Sequence, residues 1–425
     1  MAVLRPFRAL RYNPAVVGDL SAVVAPPYDV ISPERRDALY ALSGYNAVRL
    51  ILNRDADPYT AAAKVLEVWR RDGVLQRDTQ PSLCYHVEDF ALPDGSRRRR
   101  EGVIGAVRLE PFSTGHIRPH ERTFARHKED RMRILRAVRT NLSPIFGLFA
   151  NKATALDPAR AIAAARAPDL DLQDDSGVRH RAWLLTELPA IAAIADALAD
   201  ETIFIADGHH RYETGLAYAA ECGATDAQAP YTFIMMYLTS MSDPGLVILP
   251  THRVLSAGAG VNAAELLAWL RQYFKLTTFA RTARREFLEC LRRNQAQAGI
   301  GAVLAPGDQL HVLTLADTKA LDTYAAHLAP VVRHLDVAVL DTVILRGLAR
   351  IDCTTAAQEG HLTYTHDAET ALRAIDEGAH AVFLMNPPRI EDVQAVCLAG
   401  ETMPEKSTYF FPKLPTGLVF RPLED

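Results

Sequence analysis

Between Thr202 and Ala220 the hydrophobic period of the chain changes. Thr202–Ala206 is a continuous apolar, β-prone run, and Tyr212, Gly215, Leu216 and Ala219 then recur at three- and four-residue intervals. The pattern predicts a short buried strand that feeds a helix with one buried face. Five residues separate the two elements, Asp207-Gly208-His209-His210-Arg211, and Asp207 falls where an N-cap side chain accepts orphan amide protons. Similar changes of period organise the rest of the chain. Val24–Ser32 reads as a strand end entering a proline-fixed loop, and Ala61–Arg71 as a helix. LCYHVEDFAL and GVIGAVRLE read as two strands of a hairpin around Asp94-Gly95, with Arg97–Arg100 at its solvated tip. Met132, Leu135 and Val138 form a buried stripe on a helix whose polar face is basic. From Lys152 to Ala182 the pattern predicts helices joined by a polar loop at Asp169–Gly177, the expected internal joint. YTFIMMYLT and GLVILPTHRVL are strand patterns, the second leaving at Pro250. Beyond Gly260, helix and strand patterns alternate: Ala263–Phe274, QLHVLTL, LDVAVLDTVILRGL, HLTYTHD and AVFLMN. The expected fold class is therefore α/β, mixed α+β, with residues 1–260 carrying the candidate chemistry and residues 261–425 forming a C-terminal α/β unit. No fixed-period repeat is visible, which argues against a solenoid or propeller.

Composition narrows the functional classes. A chain of 425 residues that is 49% apolar can bury a large core in two or three packed units. The net charge of -4, from 47 basic and 51 acidic residues, gives no global attraction to nucleic acid or anionic membranes, so any anion site is local. No apolar run approaches the roughly 20 residues that span a bilayer, and the opening MAVLRPFRALRYNP lacks a signal-peptide core; the expected location is cytoplasmic. Cys84, Cys222, Cys290, Cys353 and Cys397 are odd in number and scattered, with no Cys-x-x-Cys pair, and are expected to be reduced thiols.

Four clusters carry candidate chemistry. At the Asp207–Arg211 turn, helix-start amides and the positive dipole end favour an anion, and His209, His210 and Arg211 add donors; phosphate is the first ligand to consider. In RPHERTFARHKEDRMRILRAVRTNLSPIF, Lys128 and Arg131 share a helix face as phosphate ligands or solvated cations, and Glu129 can pair with Arg133. His120, Glu121 and Thr123 form a polar run that can face a substrate, without the spacing of a His-Glu-x-x-His zinc helix. In MPEKSTYFFPKLPTG, prolines hold an extended path along which Lys406 and Lys413 can reach phosphate oxygens. In Pro26–Ser32, Asp29 is either a general base or an Asx turn capping the helix that starts after Pro33. Walker-type, dinucleotide-fingerprint, Gly-x-Ser-x-Gly and protein-kinase signatures are absent from the sequence.

PPYDVIS, PHERT…K.DR…NLSPIF, ADGHHRYET, THRVL and MPEKSTYFFPK together resemble an uncharacterised prokaryotic family, over nearly the whole chain. The Asp-Gly-His-His-Arg turn is similar to that of the ParB/sulfiredoxin-like superfamily, whose members bind nucleotide phosphates at a strand-helix turn and include free L-serine kinases using ADP or pyrophosphate. The resemblance implies a ParB/sulfiredoxin-like core with an additional C-terminal α/β unit, and a small-molecule phosphotransferase making O-phospho-L-serine from serine, with pyrophosphate or a nucleotide as donor. It places Asp207, Gly208, His209, His210 and Arg211 at the phosphates and Asp29 as base, where the kinases have Glu, with Glu121 in reserve. It also implies a small-molecule substrate; phosphoryl transfer further calls for Mg²⁺, held partly by Asp207, and the charge balance makes neither nucleic acid nor membrane an expected partner. Two other classes stay open: a ParB-like CTP-binding switch, which predicts a basic helix-turn-helix unit that the sequence lacks, and a non-catalytic regulator that binds a phosphate ligand.

Overall fold

The computed structural model describes residues 1–121, 125–150, 153–223 and 226–424. The fold is mixed α/β, and the chain divides into two compact units. The first comprises Met1–Pro119, Thr123–Val247 and Pro412–Asp425, the second His120–Arg122 and Ile248–Phe411.

The first unit is built on a nine-stranded sheet. Its strands are β1 (Leu4–Arg5), β2 (Leu83–Ala91), β3 (Arg97–Arg108), β4 (Ile117–Pro119), β5 (Ile145–Phe149), β6 (Leu170–Gln173), β7 (Arg179–Leu185), β8 (Ile203–Asp207) and β9 (Phe233–Ser240). Their spatial order is β4-β8-β5-β9-β3-β2-β7-β6, with β1 also on β3. Strand β8 runs parallel to β4 and antiparallel to β5, and β9 runs parallel to β5. Strand β9 is the YTFIMMYLT pattern, and all eight of its residues are buried. A fully apolar run belongs in such a position, covered on both faces. Three helices matter for the site: α1 (Pro58–Arg71), α2 (Ala125–Val138) and α3 (His209–Glu221). Gly215 lets α3 approach the sheet closely, since a Cβ there would lie 2.7 Å from the Ile234 side chain of β9.

Two sequence expectations are corrected. The β2–β3 hairpin forms, with Ala91 opposite Arg97, but only three of the four arginines are solvated. Arg100 is fully buried opposite Glu88, and its Nε donates to Glu88 Oε2 at 2.8 Å. Its guanidinium also donates to the Pro412 carbonyl at 2.7 Å and lies 4.6 Å above the Phe146 ring. Pairing and hydrogen bonding offset the desolvation of that charge. The polar stretch 169–177, expected as a loop joining helices, contains edge strand β6 and the tight turn into β7. Asp174 makes the turn by accepting from Ser176 and Val178 amides at 2.9 and 3.0 Å.

The second unit has a six-stranded antiparallel sheet of β10 (His252–Leu255), β11 (Phe274–Ala280), β12 (Ile300–Leu304), β13 (Gln309–Leu315), β14 (Leu362–Thr365) and β15 (Ala381–Leu384). The order is β11-β13-β12-β15-β10-β14. Helices α4 (Ala263–Tyr273), α5 (Arg284–Arg293) and α6 (Ala368–Asp376) contribute buried apolar faces, with Leu266, Phe287 and Leu372 wholly buried. The alternation read beyond Gly260 is the sequence form of this unit, and its sheet begins earlier, at His252, because THRVL pairs with β14 and β15. Among the described residues no helix is long and apolar enough to cross a membrane.

Candidate functional site

The strand-helix turn at Asp207–Arg211 forms where expected, with different internal bonding. The N-cap of α3 is Gly208, at φ 94° and ψ 26°, and it supplies no side-chain cap. Asp207 does not cap the helix. Its Oδ2 accepts from Arg211 at 2.7 Å, and its Oδ1 pairs with the Lys413 ammonium. Arg211 also donates to the Pro144 carbonyl. Burial alone would raise the pKa of Asp207, but Lys413 and Arg211 overcome it and hold the carboxyl well below the usual carboxylate range. One ionised carboxylate thus fixes two cations at the positive end of a helix whose first amides have no acceptor within the helix.

Gly208 is required for this geometry. A positive φ penalises any residue with a Cβ, and a Cβ here would lie 3.0 Å from the Arg211 guanidinium. Gly208→Ala is expected to lower stability by about 1–2 kcal/mol and to displace Arg211. Urea unfolding would measure the first effect; unchanged stability would show that the left-handed turn is not needed.

A solvent-open cleft of about 530 Å³ lies beside the turn within the first unit, lined by Tyr28, Arg131, Ser143, Thr214 and Arg211 on its polar side and by Ile51, Ile134, Val138 and Ile234 among its apolar residues. Arg131 is 9% exposed. Its Nε donates to Asp130 at 2.9 Å, and its guanidinium lies 3.8 Å over the Tyr28 ring. The Asp130 carboxylate is in turn held by the Tyr59 hydroxyl of α1 at 2.8 Å. Burial raises the pKa of the Tyr28 hydroxyl, an effect Arg131 opposes. Lys128 forms an ion pair with Glu213, joining α2 to α3. Asp29 is exposed in the turn Tyr28–Val30, next to the cleft-lining Tyr28; the following helix is capped instead by Ser32, whose hydroxyl accepts from Arg35 at 3.1 Å. His209 is buried, and His210 is half-buried.

Of the sequence-predicted set, Asp29, Lys128, Arg131, Asp207, Gly208, His209, His210 and Arg211 all belong to the first unit, and Arg131 and Arg211 line the cleft. His120, Glu121 and Lys406 belong to the second unit. There His120 is buried and its Nε2 lies 2.7 Å from Thr408 Oγ1. Glu121 Oε1 accepts from the Ser407 and Thr408 amides, both at 3.1 Å. These residues tie the Pro-His-Glu run to Met-Pro-Glu-Lys-Ser-Thr. Within the same unit, burial and the nearby Glu121 carboxylate push Glu405 up to about 7. Lys406 is exposed at φ 57°, and its carbonyl accepts from Arg253 at 3.1 Å. Thr123 lies outside the described residues. Sequence reasoning missed Tyr28 as the surface under Arg131 and Pro144 as the carbonyl that orients Arg211. The only sequence signals for them were the PPYDVIS and NLSPIF segments in which they stand.

Residues 4–338 match the model of a family described as "Protein of unknown function (DUF1015)". No curated protein matches the chain. Among solved structures, the chain is similar to a free serine kinase variant in complex with ADP, at 13% identity and a TM-score of 0.38, covering 75% of this chain and 91% of that one. It is similar to a conserved hypothetical protein from Pyrococcus furiosus at 13% identity and a TM-score of 0.38, covering 76% and 96%. A C-terminally truncated SbnI from Staphylococcus aureus gives 14% identity and a TM-score of 0.37, covering 75% and 87%.

Proposed function

We propose that this chain, which belongs to the DUF1015 family, is a small-molecule phosphotransferase that phosphorylates free L-serine, with pyrophosphate or a nucleotide as donor. The observation that supports the reading best is the turn itself: Lys413 and Arg211 converge on Asp207 at the start of α3, beside a cleft that Arg131 and Arg211 line. Phosphoryl transfer asks little covalent chemistry of a protein; it needs fixed positive charge and an oriented nucleophile. In this reading His209, His210, Arg211, Lys128 and Arg131 receive the donor phosphates, and Asp29 accepts the proton of the acceptor hydroxyl. The serine acceptor and the ParB/sulfiredoxin-like ancestry of the turn rest on the sequence resemblance.

Asp207 suits a metal ion only in part, because both of its oxygens already face cations. Mg²⁺ would then be held chiefly by donor phosphate oxygens, and when bound it would offset their charge.

The test is phosphorus NMR of the purified chain with L-serine, Mg²⁺ and, separately, pyrophosphate, ADP, ATP or CTP. O-phospho-L-serine in one tube is the expected result and identifies the donor. Retention or hydrolysis of CTP without phosphoserine would replace the kinase with a nucleotide switch. No change in any tube would remove serine as acceptor.

A further inference from the structure

We propose that His86, Glu88 and His180 form a binding site for a divalent first-row transition-metal ion of the zinc or cobalt class, buried within the sheet of the first unit. His86 and Glu88 are two residues apart on β2 and so point to one face. His180 stands directly opposite Glu88 on β7, and the residue opposite His86 is the small Ala182. All three side chains are fully buried. One potential ligand atom from each lies within 4.8 Å of the others.

The spacings suit a shared ion. His86 Nε2 is 3.1 Å from His180 Nδ1, and that nitrogen is 3.7 Å from Glu88 Oε1. Two ligands at ordinary zinc bond lengths of about 2.0–2.2 Å in a tetrahedral arrangement stand roughly 3.3 Å apart, between the two observed separations. Two of the three ligands, His180 and Glu88, also have outer contacts of the required form. His180 Nε2 lies 3.1 Å from Asp174 Oδ2, so this ring nitrogen can donate to a carboxylate and leave Nδ1 as a lone-pair donor. Asp174 is itself fixed by the β6–β7 turn, and Glu88 Oε2 is fixed by Arg100 at 2.8 Å.

The same network without an ion leaves a deficit. With His180 donating to Asp174, the contact between the histidines requires His86 Nε2 to carry the proton, and His86 Nδ1 then becomes a buried acceptor. Glu88 Oε1 also lacks a hydrogen-bond partner, and it is this oxygen that an ion relieves; His86 Nδ1 has no partner with or without the ion. An unpaired buried carboxylate oxygen is costly, and an ion would satisfy it. Two imidazoles and one carboxylate favour zinc or cobalt over Mg²⁺ or Ca²⁺, which prefer all-oxygen sites.

The full chain, stripped with chelator and titrated with CoCl₂, is expected to take up one equivalent of Co²⁺ with ligand-field absorption in the visible, which Zn²⁺ abolishes by displacement. Its thermal midpoint should rise with metal concentration. His180→Ala should lose the absorption band. Asp174→Asn, a change at a positioning residue outside the ion's ligands, should fold normally by circular dichroism and bind Co²⁺ about 10–100-fold more weakly. The proposal is overturned if the wild-type chain binds no Co²⁺ or Zn²⁺, or if Asp174→Asn and His180→Ala bind as the wild type does.

Discussion

Asp207→Asn is expected to lower the free energy of unfolding by roughly 2–4 kcal/mol, somewhat below the roughly 3–5 kcal/mol for removing one member of a fully buried ion pair, because the site is partly exposed. The side chains of Asp207, Arg211 and Lys413 are 18%, 15% and 12% exposed, so neither cation regains full hydration when the carboxylate charge is removed. The pH dependence follows from the direction of the shift. The folded pKa of Asp207 is depressed, so its contribution is fully present above the unfolded value of about 4 and is lost as pH falls through the folded value. Wild type and Asp207→Asn should therefore differ by a constant amount from neutral pH down to about pH 5 and converge only in stronger acid. Urea titrations at pH 7, 5 and 3 measure this. Equal stability of the two proteins at pH 7 would mean that Lys413 and Arg211 do not depend on Asp207.

The same carboxylate marks how far the sequence could be read. Strand β8 and helix α3 were legible because a short continuous apolar run and a 3.6-residue period are local properties of about twenty residues. The role of Asp207 was not. An N-cap and an ion-pair anchor look identical in sequence, and the choice between them depends on Lys413, 206 positions away. Arg100 is a parallel case. Within an RRRR run nothing local separates it from Arg99, and only the pairing of Glu88 with Arg100 across β2 and β3 buries one and leaves the other in solvent. The stripe Met132, Leu135 and Val138 was legible as helical spacing and is buried. That Arg131, beside it, would rest on the Tyr28 ring depends on a loop more than 100 residues earlier. The conflict at Gly208, a left-handed residue starting a helix without a capping side chain, is the kind of local departure expected where geometry serves a ligand.

Arg211→Ala is expected to reduce kcat/KM for the phosphoryl donor by about 10²–10³-fold, equivalent to about 3–4 kcal/mol of transition-state stabilisation, the usual scale for one preorganised charged donor. The argument rests on what fixes this guanidinium. Asp207 Oδ2 and the Pro144 carbonyl hold it from two directions, and it lines the cleft, so little reorganisation accompanies charge development on a transferring phosphoryl group. Arg211→Lys keeps the charge but cannot span both anchors with a single ammonium, so its activity should fall between wild type and alanine, with much of the loss in kcat. Stability separates this from general damage. In Arg211→Ala, Asp207 keeps Lys413 as a partner, so unfolding should be affected less than in Asp207→Asn, while turnover is affected strongly. Steady-state kinetics of both variants with the donor identified by phosphorus NMR would decide. An Arg211→Ala protein within threefold of wild-type kcat/KM would move the phosphate site away from this turn, leaving Asp207, Arg211 and Lys413 as a structural clasp between the start of α3 and the C-terminal segment of the first unit.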